Sequence, residues 1–209
     1  MEAVSMVKGQ KVDLTKENPG LQLVHAGAGW DVNKGSGNQF DLDLSAVITR
    51  NGKVDTKEQL LFFNSPKNSD GKPHIFNGAI VHTGDNLTGV GEGDDETIAV
   101  NFQKLAEECA DGDNIVFFIN IYEADSRKQN FGMVQNAFIR LYNPQDGKEL
   151  CRFDLSEDHS GSNAMILGRM YLHNGEWKFQ SFGRGSNGNI NQIVEQVNNN
   201  LQDWIANAA

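Results

Sequence analysis

The chain has 209 residues, 38% of them hydrophobic, which is enough apolar material for one globular domain. Its formal net charge of −10 argues against a protein that binds nucleic acid or anionic lipid through a basic face. The two isolated cysteines, Cys109 and Cys151, form neither a disulfide framework nor a CxxC site. No apolar run is long enough to span a bilayer, and residues 1–8 lack the features of a signal peptide. We therefore expect a cytoplasmic protein.

Most of the chain consists of short apolar or alternating runs separated by turn signals, a pattern typical of β-strands. One or two strands are predicted in 3–14, and further strands at 21–26, 40–49, 60–63, 97–102, 115–122, 137–142, 149–155, 164–172 and 176–182. Loops are predicted at 27–33 and 64–77, a short helix at 103–110, and a charged or helical turn at 123–130. This order predicts a mainly β fold, a two-sheet β-sandwich with short helices.

The last segment departs from the strand pattern. Apolar residues recur at three- and four-residue spacing over 190–206, which predicts an amphipathic helix. We divide the chain into a β-sandwich domain at 1–187 and a C-terminal helix at 188–209. The helix is expected to pack on the sandwich or to serve in docking a partner.

The segment 82–96 is the most unusual stretch of the chain. It holds the carboxylates Asp85, Glu92, Asp94, Asp95 and Glu96 among four glycines, and it contains no Lys or Arg. Glycine lets a backbone turn its carbonyls inward, and Ca²⁺ takes six to eight oxygen ligands. Composition alone leaves two interpretations open, a loop that closes around a hard cation and an acidic turn exposed to solvent.

A second acidic pair lies in the strand predicted at 40–49. Asp41 and Asp43 are two residues apart, so their side chains point to the same face of the strand. They either face solvent or share a metal ion. Asp31 and Asp70 supply further oxygens from loops. The acids are spread over separate segments, unlike an EF-hand, and an oxygen donor set disfavours zinc and copper.

Two motifs suggest enzymes, and neither is persuasive. Asp158, His159 and Ser160 are consecutive, whereas the members of a catalytic triad converge from different parts of a fold. Residues 183–188 match GxGxxG between a strand and a helix, but no second strand follows to complete a dinucleotide-binding unit. We expect this segment to be a flexible connector.

Several stretches together resemble the TerD family of tellurium-resistance stress proteins. They are Gly29-Trp30-Asp31-Val32-Asn33, Phe40-Asp41-Leu42-Asp43-Leu44-Ser45-Ala46, Val81 to Glu96, Gln129-Asn130-Phe131-Gly132, Asn136 to Arg140, and His173 to Phe179. The resemblance covers about residues 1–185. Two features depart from the family pattern: the longer loop at 64–79 and the helix at 190–206, which extends beyond the family's usual end.

The resemblance implies a β-sandwich that binds Ca²⁺, two adjacent ions, at acidic loops. The implied ligands are Asp41, Asp43, Asp85, Glu92, Asp94, Asp95 and Glu96, with main-chain oxygens of Leu87, Gly91 and Gly93, and with Asp31, Asp70 and Asn86 as further candidates. His82 is expected to be a structural hydrogen-bonding group and Trp30 a core aromatic. The family is one of bacterial cytoplasmic stress factors linked to tellurite, phage and colicin resistance. It implies no enzymatic activity, and it implies partners in the tellurite-resistance system, a membrane-embedded protein among them.

Two other functions remain open. The acidic cluster could hold Mg²⁺ for phosphoryl or nucleotide chemistry, which also needs basic groups to bind phosphate. The nearest candidates, Lys104, Arg127, Lys128 and Arg140, are distant in sequence from the acidic loop. Alternatively, a pocket near Arg140 or Arg184 could bind a small ligand such as a nucleotide.

Overall fold

A computed structural model describes residues 3–31, 39–83, 93–155 and 159–207. Within these ranges the chain forms thirteen strands, which we number in order: β1 (Val4–Ser5), β2 (Lys11–Asp13), β3 (Leu23–Gly29), β4 (Leu42–Arg50), β5 (Leu60–Leu61), β6 (His74–Ile75), β7 (Ile80–His82), β8 (Glu96–Asn101), β9 (Gly112–Ile121), β10 (Phe138–Tyr142), β11 (Glu149–Asp154), β12 (Ala164–His173) and β13 (Glu176–Ser186). The α-helices are α1 (Phe102–Glu108), α2 (Ala124–Arg127) and α3 (Ile190–Ala206). None of the helices in the described ranges is long and apolar enough to cross a membrane.

The strands form two sheets that pack face to face. The first sheet has the order β1-β11-β10-β3-β8-β7-β6, and the second has the order β2-β13-β12-β9-β4-β5. All neighbouring strands pair in antiparallel fashion except β1 and β11, which are parallel. The predicted two-sheet β-sandwich is confirmed.

Alternate side chains of strand β4 point to opposite faces of the second sheet. Its alternate residues Leu42, Leu44, Ala46 and Ile48 belong to the core between the sheets, whereas Val47 belongs to a separate cluster on the outer side. Asp43 alternates with Leu42 and Leu44, so its side chain shares the outer side with Val47. Thus β4 is buried on both faces of the second sheet.

The outer cluster exists because α3 covers that side of the second sheet. Ile193, Val197 and Leu201 are buried against the outward residues of β4, β9, β12 and β13. The helix begins at the cap residue Asn189, whose side chain accepts a hydrogen bond from Gln192 N, while Gln192 bonds back to the Asn189 N–H. The helix predicted at 190–206 is therefore confirmed, and it packs on the sandwich.

Several strands differ from their predicted bounds, and β7 was not predicted. The predicted loop at 27–33 is strand through Gly29, and the short β6 lies inside the predicted loop at 64–77. Strand β13 continues to Ser186, so the GxGxxG segment begins inside a strand and leads into α3. Glycine composition suggested loops at 27–29 and 183–185, but pairing with neighbouring strands keeps these residues within β3 and β13, where Gly183 has a positive φ of 56°.

One end of the sandwich collects the acidic residues. Strand β8 begins at Glu96 opposite Ala28, near the end of β3, and β4 begins at Leu42 opposite Ile121, the end of β9. The two sheets are joined there by a hydrogen bond of 2.7 Å from Leu44 N to a Glu96 carboxylate oxygen. We call this end, with residues 39–43, 93–96 and 120–129, the acidic end.

Candidate functional site at the acidic end

Two buried carboxylates lie on the outer side of the second sheet. Asp41 and Asp43 are 5% and 2% exposed. The side-chain amide of Asn120, on the adjacent strand β9, donates to Asp43 Oδ2 at 3.1 Å. Arg127 of α2 lies 3.4 Å from Asp41 Oδ2, and the Asp41 carbonyl accepts from Tyr122 N. The sequence thus correctly placed the two acids on one face, and this face is buried rather than exposed to solvent.

Asp43 and Asn120 line a groove of about 650 Å³ between the second sheet, α2 and the start of α3. Its walls combine apolar side chains with amides and carboxylates: Leu60, Phe62, Phe63, Ile121, Tyr122, Ile190, Asp125, Asn163, Asn189 and Asn191. The groove gives solvent access to the two buried residues, so an ion could reach them from this side.

The oxygen of the Asn120 side chain is the most informative atom of this region. Its Oδ1 is buried and accepts no hydrogen bond from any described residue, although the nitrogen of the same amide is bonded to Asp43. A buried acceptor of this kind indicates a water or an ion that supplies the missing contact. Carboxylate and amide oxygens are also the ligands that Ca²⁺ prefers, so the residues present fit a hard cation.

Glu96 lies between the two sheets and is 1% exposed. Besides accepting from Leu44 N, its carboxylate lies 3.4 Å from His82 Nε2, and this nitrogen is 2.9 Å from the Leu44 carbonyl oxygen. Glu96 and His82 therefore tie the first sheet to the backbone of β4. The expectation that His82 is a structural hydrogen-bonding group is confirmed.

Asp94 lies on the opposite side, on the outer face of the first sheet. Its two oxygens accept from Arg140 Nε and Nη2 at 2.7 and 3.1 Å, and Arg140 also contacts Glu149 at 3.2 Å. These contacts raise the pKa of Arg140. The Asp94 carboxylate occupies the space where Gly27 lacks a side chain. Asp94 is thus held by Arg140 over a strand glycine.

Asp95 and Asp31 hold the end of β3 in place. Asp95 Oδ2 accepts from Trp30 N at 2.9 Å, and Asp95 N donates to the Ala28 carbonyl. Asp31 accepts from the Asn136 side chain at 2.8 Å. Trp30 is buried, and its Nε1 donates to the Phe40 carbonyl, which confirms the prediction of a core aromatic.

Of the other predicted ligands, the structure describes only Gly93 and Asp70. Gly93 adopts a positive φ of 98° just before Asp94. Asp70 is exposed in a turn whose backbone bonds to the Asn68 side chain. Asp85, Asn86, Leu87, Gly91 and Glu92 lie outside the described residues. Within the described ranges, no three His, Cys, Asp or Glu side chains are grouped as a metal site. Which of the acids bind an ion therefore stays a prediction.

Sequence reasoning missed the groups that surround these acids. Asn120 interrupts the apolar run of β9, a signal that could have been recognised. Arg127 and Arg140 are distant in sequence from the acidic loop, yet they contact Asp41 and Asp94. Pairing of strands far apart in sequence brings them there. The backbone N–H of Lys104, in α1, donates to the Asn101 side chain.

The fold and the acidic end define a class: a two-sheet β-sandwich with acidic residues at one end, between the sheets and on the outer face of each sheet. The sequence model of the TerD domain matches residues 2–197, and so the chain belongs to the TerD family. The match includes the first half of α3, and the rest of the helix extends past it. Residues 198–209 of the sequence follow the matched range.

Named relatives agree with this assignment. The chain is 47% identical to General stress protein 16U of Bacillus subtilis over 91% of this chain and 95% of that protein. It is 41% identical to Tellurium resistance protein TerD of Serratia marcescens over 93% and 96% of the two chains. A solved structure of a TerD homologue from Streptomyces coelicolor superposes with a TM-score of 0.64 at 19% identity, covering 84% of this chain and 96% of that one. The last likeness concerns the fold alone.

Proposed function

We propose that this TerD-family chain is a non-enzymatic, calcium-binding module of the bacterial stress response. In this proposal Ca²⁺, as two ions, binds at the acidic end and orders the acidic segments into a surface that other proteins recognise. The names of the relatives suggest that these partners belong to a tellurite-resistance or general stress system. We propose a cytoplasmic location, with a membrane-embedded protein among the partners.

The observation that carries the calcium proposal is the pair Asp43 and Asn120. A carboxylate and an amide oxygen, both nearly inaccessible, lie side by side at the floor of an open groove. Asn120 Oδ1 accepts no hydrogen bond from the described residues, so a bound cation would satisfy it. Asp41, two residues earlier on the same face, would add a second carboxylate.

The chemistry of the acidic end favours calcium over other metals. Its candidate donors are carboxylate, amide and main-chain oxygens, which hard cations prefer. The backbone of 82–96 leads from His82 and re-enters the sheet at Glu96, so the ends of this segment are anchored between the two sheets. An ion that joined this segment to Asp41 and Asp43 would fix the acidic end as one unit.

A local test uses the buried Trp30, which lies at the acidic end and donates to Phe40 O next to Asp41. Tb³⁺ replaces Ca²⁺ in oxygen sites, and a tryptophan close to it sensitises its luminescence. We expect luminescence that Ca²⁺ displaces and Mg²⁺ displaces poorly, and that Trp30→Phe strongly reduces. Trp204→Phe, in the helix α3, is the matched control. Absence of sensitised emission, or equal loss in both variants, would contradict the proposal.

One observation favours the alternative of Mg²⁺-dependent phosphoryl chemistry. Arg127 lies beside Asp41, so a cationic group is present where a phosphate could approach. The same guanidinium stacks over the Tyr122 ring at 5.1 Å and contacts Glu123. Adenosine and guanosine triphosphates with Mg²⁺ test this alternative: hydrolysis that Arg127→Gln abolishes would support an enzyme and oppose the binding module.

A further inference from the structure

A second cluster of charged residues lies on the outer face of the second sheet, beyond the C-terminal end of α3. Arg169 on β12 is paired with Gln180 on β13, which is paired with Lys11 on β2. The next row across the same strands is Tyr171, Lys178 and Asp13. Side chains of paired residues share a face, so these rows form one surface.

Arg169 is the unusual member of this surface because its cation is buried. The residue is only 8% exposed. Its Nε donates to Gln180 at 3.0 Å and its Nη1 to Asn114 at 2.5 Å, both neutral acceptors. No carboxylate among the described residues lies within ion-pair distance of it. Burial lowers its pKa, so the protein around it does not fully compensate the charge.

The guanidinium has one edge left for a ligand. Its central carbon, Cζ, lies 4.0 Å from the centre of the Tyr171 ring. The ring covers one face of the planar guanidinium and restricts its orientation. Nε and Nη1 are used, while Nη2 donates to none of the described residues. A guanidinium with an unused N–H donor group can bind an oxyanion, whose oxygens accept hydrogen bonds.

Arg169 lines a pocket of about 350 Å³ whose other charged members are mostly basic. Lys11 and His173 are exposed at its rim, and Lys178 is ion-paired with Asp13. The basic residues outnumber the single lining carboxylate in a chain whose net charge is −10. Local charge of this sign attracts anions and repels metal ions, the reverse of the acidic end.

We propose that this pocket is an anion site that takes a phosphate group, bound by Arg169 with Lys11, Lys178 and His173 around it. The phosphate oxygens accept from Nη2 of Arg169, and Lys11 at the rim supplies further positive charge. The pocket holds a phosphate or a small phosphate ester. It is separate from Asp43, which lies near the opposite end of α3, so this site is independent of the calcium site.

The test is a titration of the full chain with inorganic phosphate, followed in amide and arginine Nε–H NMR spectra at constant ionic strength. We expect saturable shifts confined to residues 11–13, 169–173 and 178–180. A parallel titration with methyl phosphate distinguishes the source, since tighter binding of the ester indicates a phosphorylated metabolite and equal binding indicates free phosphate.

Three variants test whether phosphate binds at the Arg169 pocket. Arg169→Gln should weaken binding roughly 10- to 100-fold, since hydrogen bonds to charged groups are strong. Lys11→Gln should weaken it about threefold, and it keeps the test valid if the buried arginine proves essential for folding. Lys57→Gln removes another exposed lysine, outside the pocket, and should change nothing. Shifts that fail to saturate, that spread over all lysines, or that Lys11→Gln and Lys57→Gln affect equally would overturn the proposal.

Discussion

Asp94 and Arg140 form a two-pronged ion pair on the outer face of the first sheet, with the carboxylate seated above Gly27. The pair joins the start of β8 to β10 across the intervening strand β3. The position of Asp94 thus depends on the absence of a side chain at residue 27. The same arginine stacks over the Tyr142 ring at 4.8 Å, which further restricts it.

The substitution Gly27→Ala tests this arrangement. A Cβ at this position would overlap the Asp94 carboxylate, so we expect the carboxylate to move and the free energy of unfolding to fall by about 1–3 kcal/mol. Gly161→Ala is the control, because its added methyl would contact nothing within 4 Å. Urea unfolding measures both variants. Equal stability of the two would show that Asp94 is not held over Gly27.

The substitution Glu96→Ala tests the contact that joins the sheets. It removes the acceptor of the buried Leu44 N–H, and an unsatisfied buried donor costs about 1–3 kcal/mol. Asp154→Ala removes a carboxylate of the exposed ion pair with Arg152 and should cost less than about 1 kcal/mol. Hydrogen exchange of the Leu44 amide should accelerate in Glu96→Ala only. Unchanged protection there would refute the bridging role.

The terminal helix should contribute strongly to stability. Leu201→Ala removes a side chain buried between α3 and the second sheet, and comparable truncations cost about 2–5 kcal/mol. Asn199→Ala, on the exposed side of the same helix, should be nearly neutral. Thermal unfolding of both variants checks this. Similar melting temperatures would indicate that α3 detaches from the sandwich in solution.

His25 gives the fold a dependence on pH. Burial lowers its pKa below 6.5, with the nearby Asp94 carboxylate acting in the opposite direction and Lys72 adding to the lowering. The unfolded chain therefore takes up the proton more readily than the folded one. The stability due to this group is complete above pH 6.5 and is lost as the pH falls from there through the lower pKa of the folded state.

Comparing unfolding at about pH 7.5 and about pH 5.5 isolates this effect. The wild type should lose more stability than His25→Gln, by less than about 1 kcal/mol because the ring is partly exposed. The glutamine can still bond to Tyr142, the partner of His25 Nδ1 at 3.1 Å. Identical losses in the two proteins would mean that another group causes the pH dependence.

Local patterns were sufficient for much of the fold. The alternation in β4 placed Asp41 and Asp43 on one face, and the spacing of apolar residues gave the bounds of α3. Local patterns could not reveal which residues contact each acidic side chain. Asp43 and Asn120 are neighbours through the pairing of β4 with β9, and Asp94 meets Arg140 across β3. These contacts arise from strand order, which the residues near each acid do not encode.

Glycine residues were a second source of error in the prediction from sequence, because they suggested loops where the structure has strands. Gly27 and Gly29 suggested a loop, but they lie in β3 because they pair with the neighbouring strands, and the side chains of Asp94 and Phe138 fill the space that a Cβ would take. A residue that permits many backbone conformations indicates little about which one packing selects. The buried Arg169 was likewise unremarkable in sequence, since only the paired strands show that it has neutral partners.

The most direct test of the central claim is calorimetric titration of chelator-treated protein with Ca²⁺, using Mg²⁺ as a control. We expect saturable Ca²⁺ binding, weak Mg²⁺ binding, and a higher unfolding temperature with Ca²⁺, because an ion bound only by the folded state stabilises it. Asp43→Asn, which can keep its contact with Asn120, should weaken binding at least about tenfold, while Asp146→Asn in an exposed turn should bind like the wild type. Absence of heat and of a thermal shift, or equal binding by both variants, would contradict a calcium site at the acidic end.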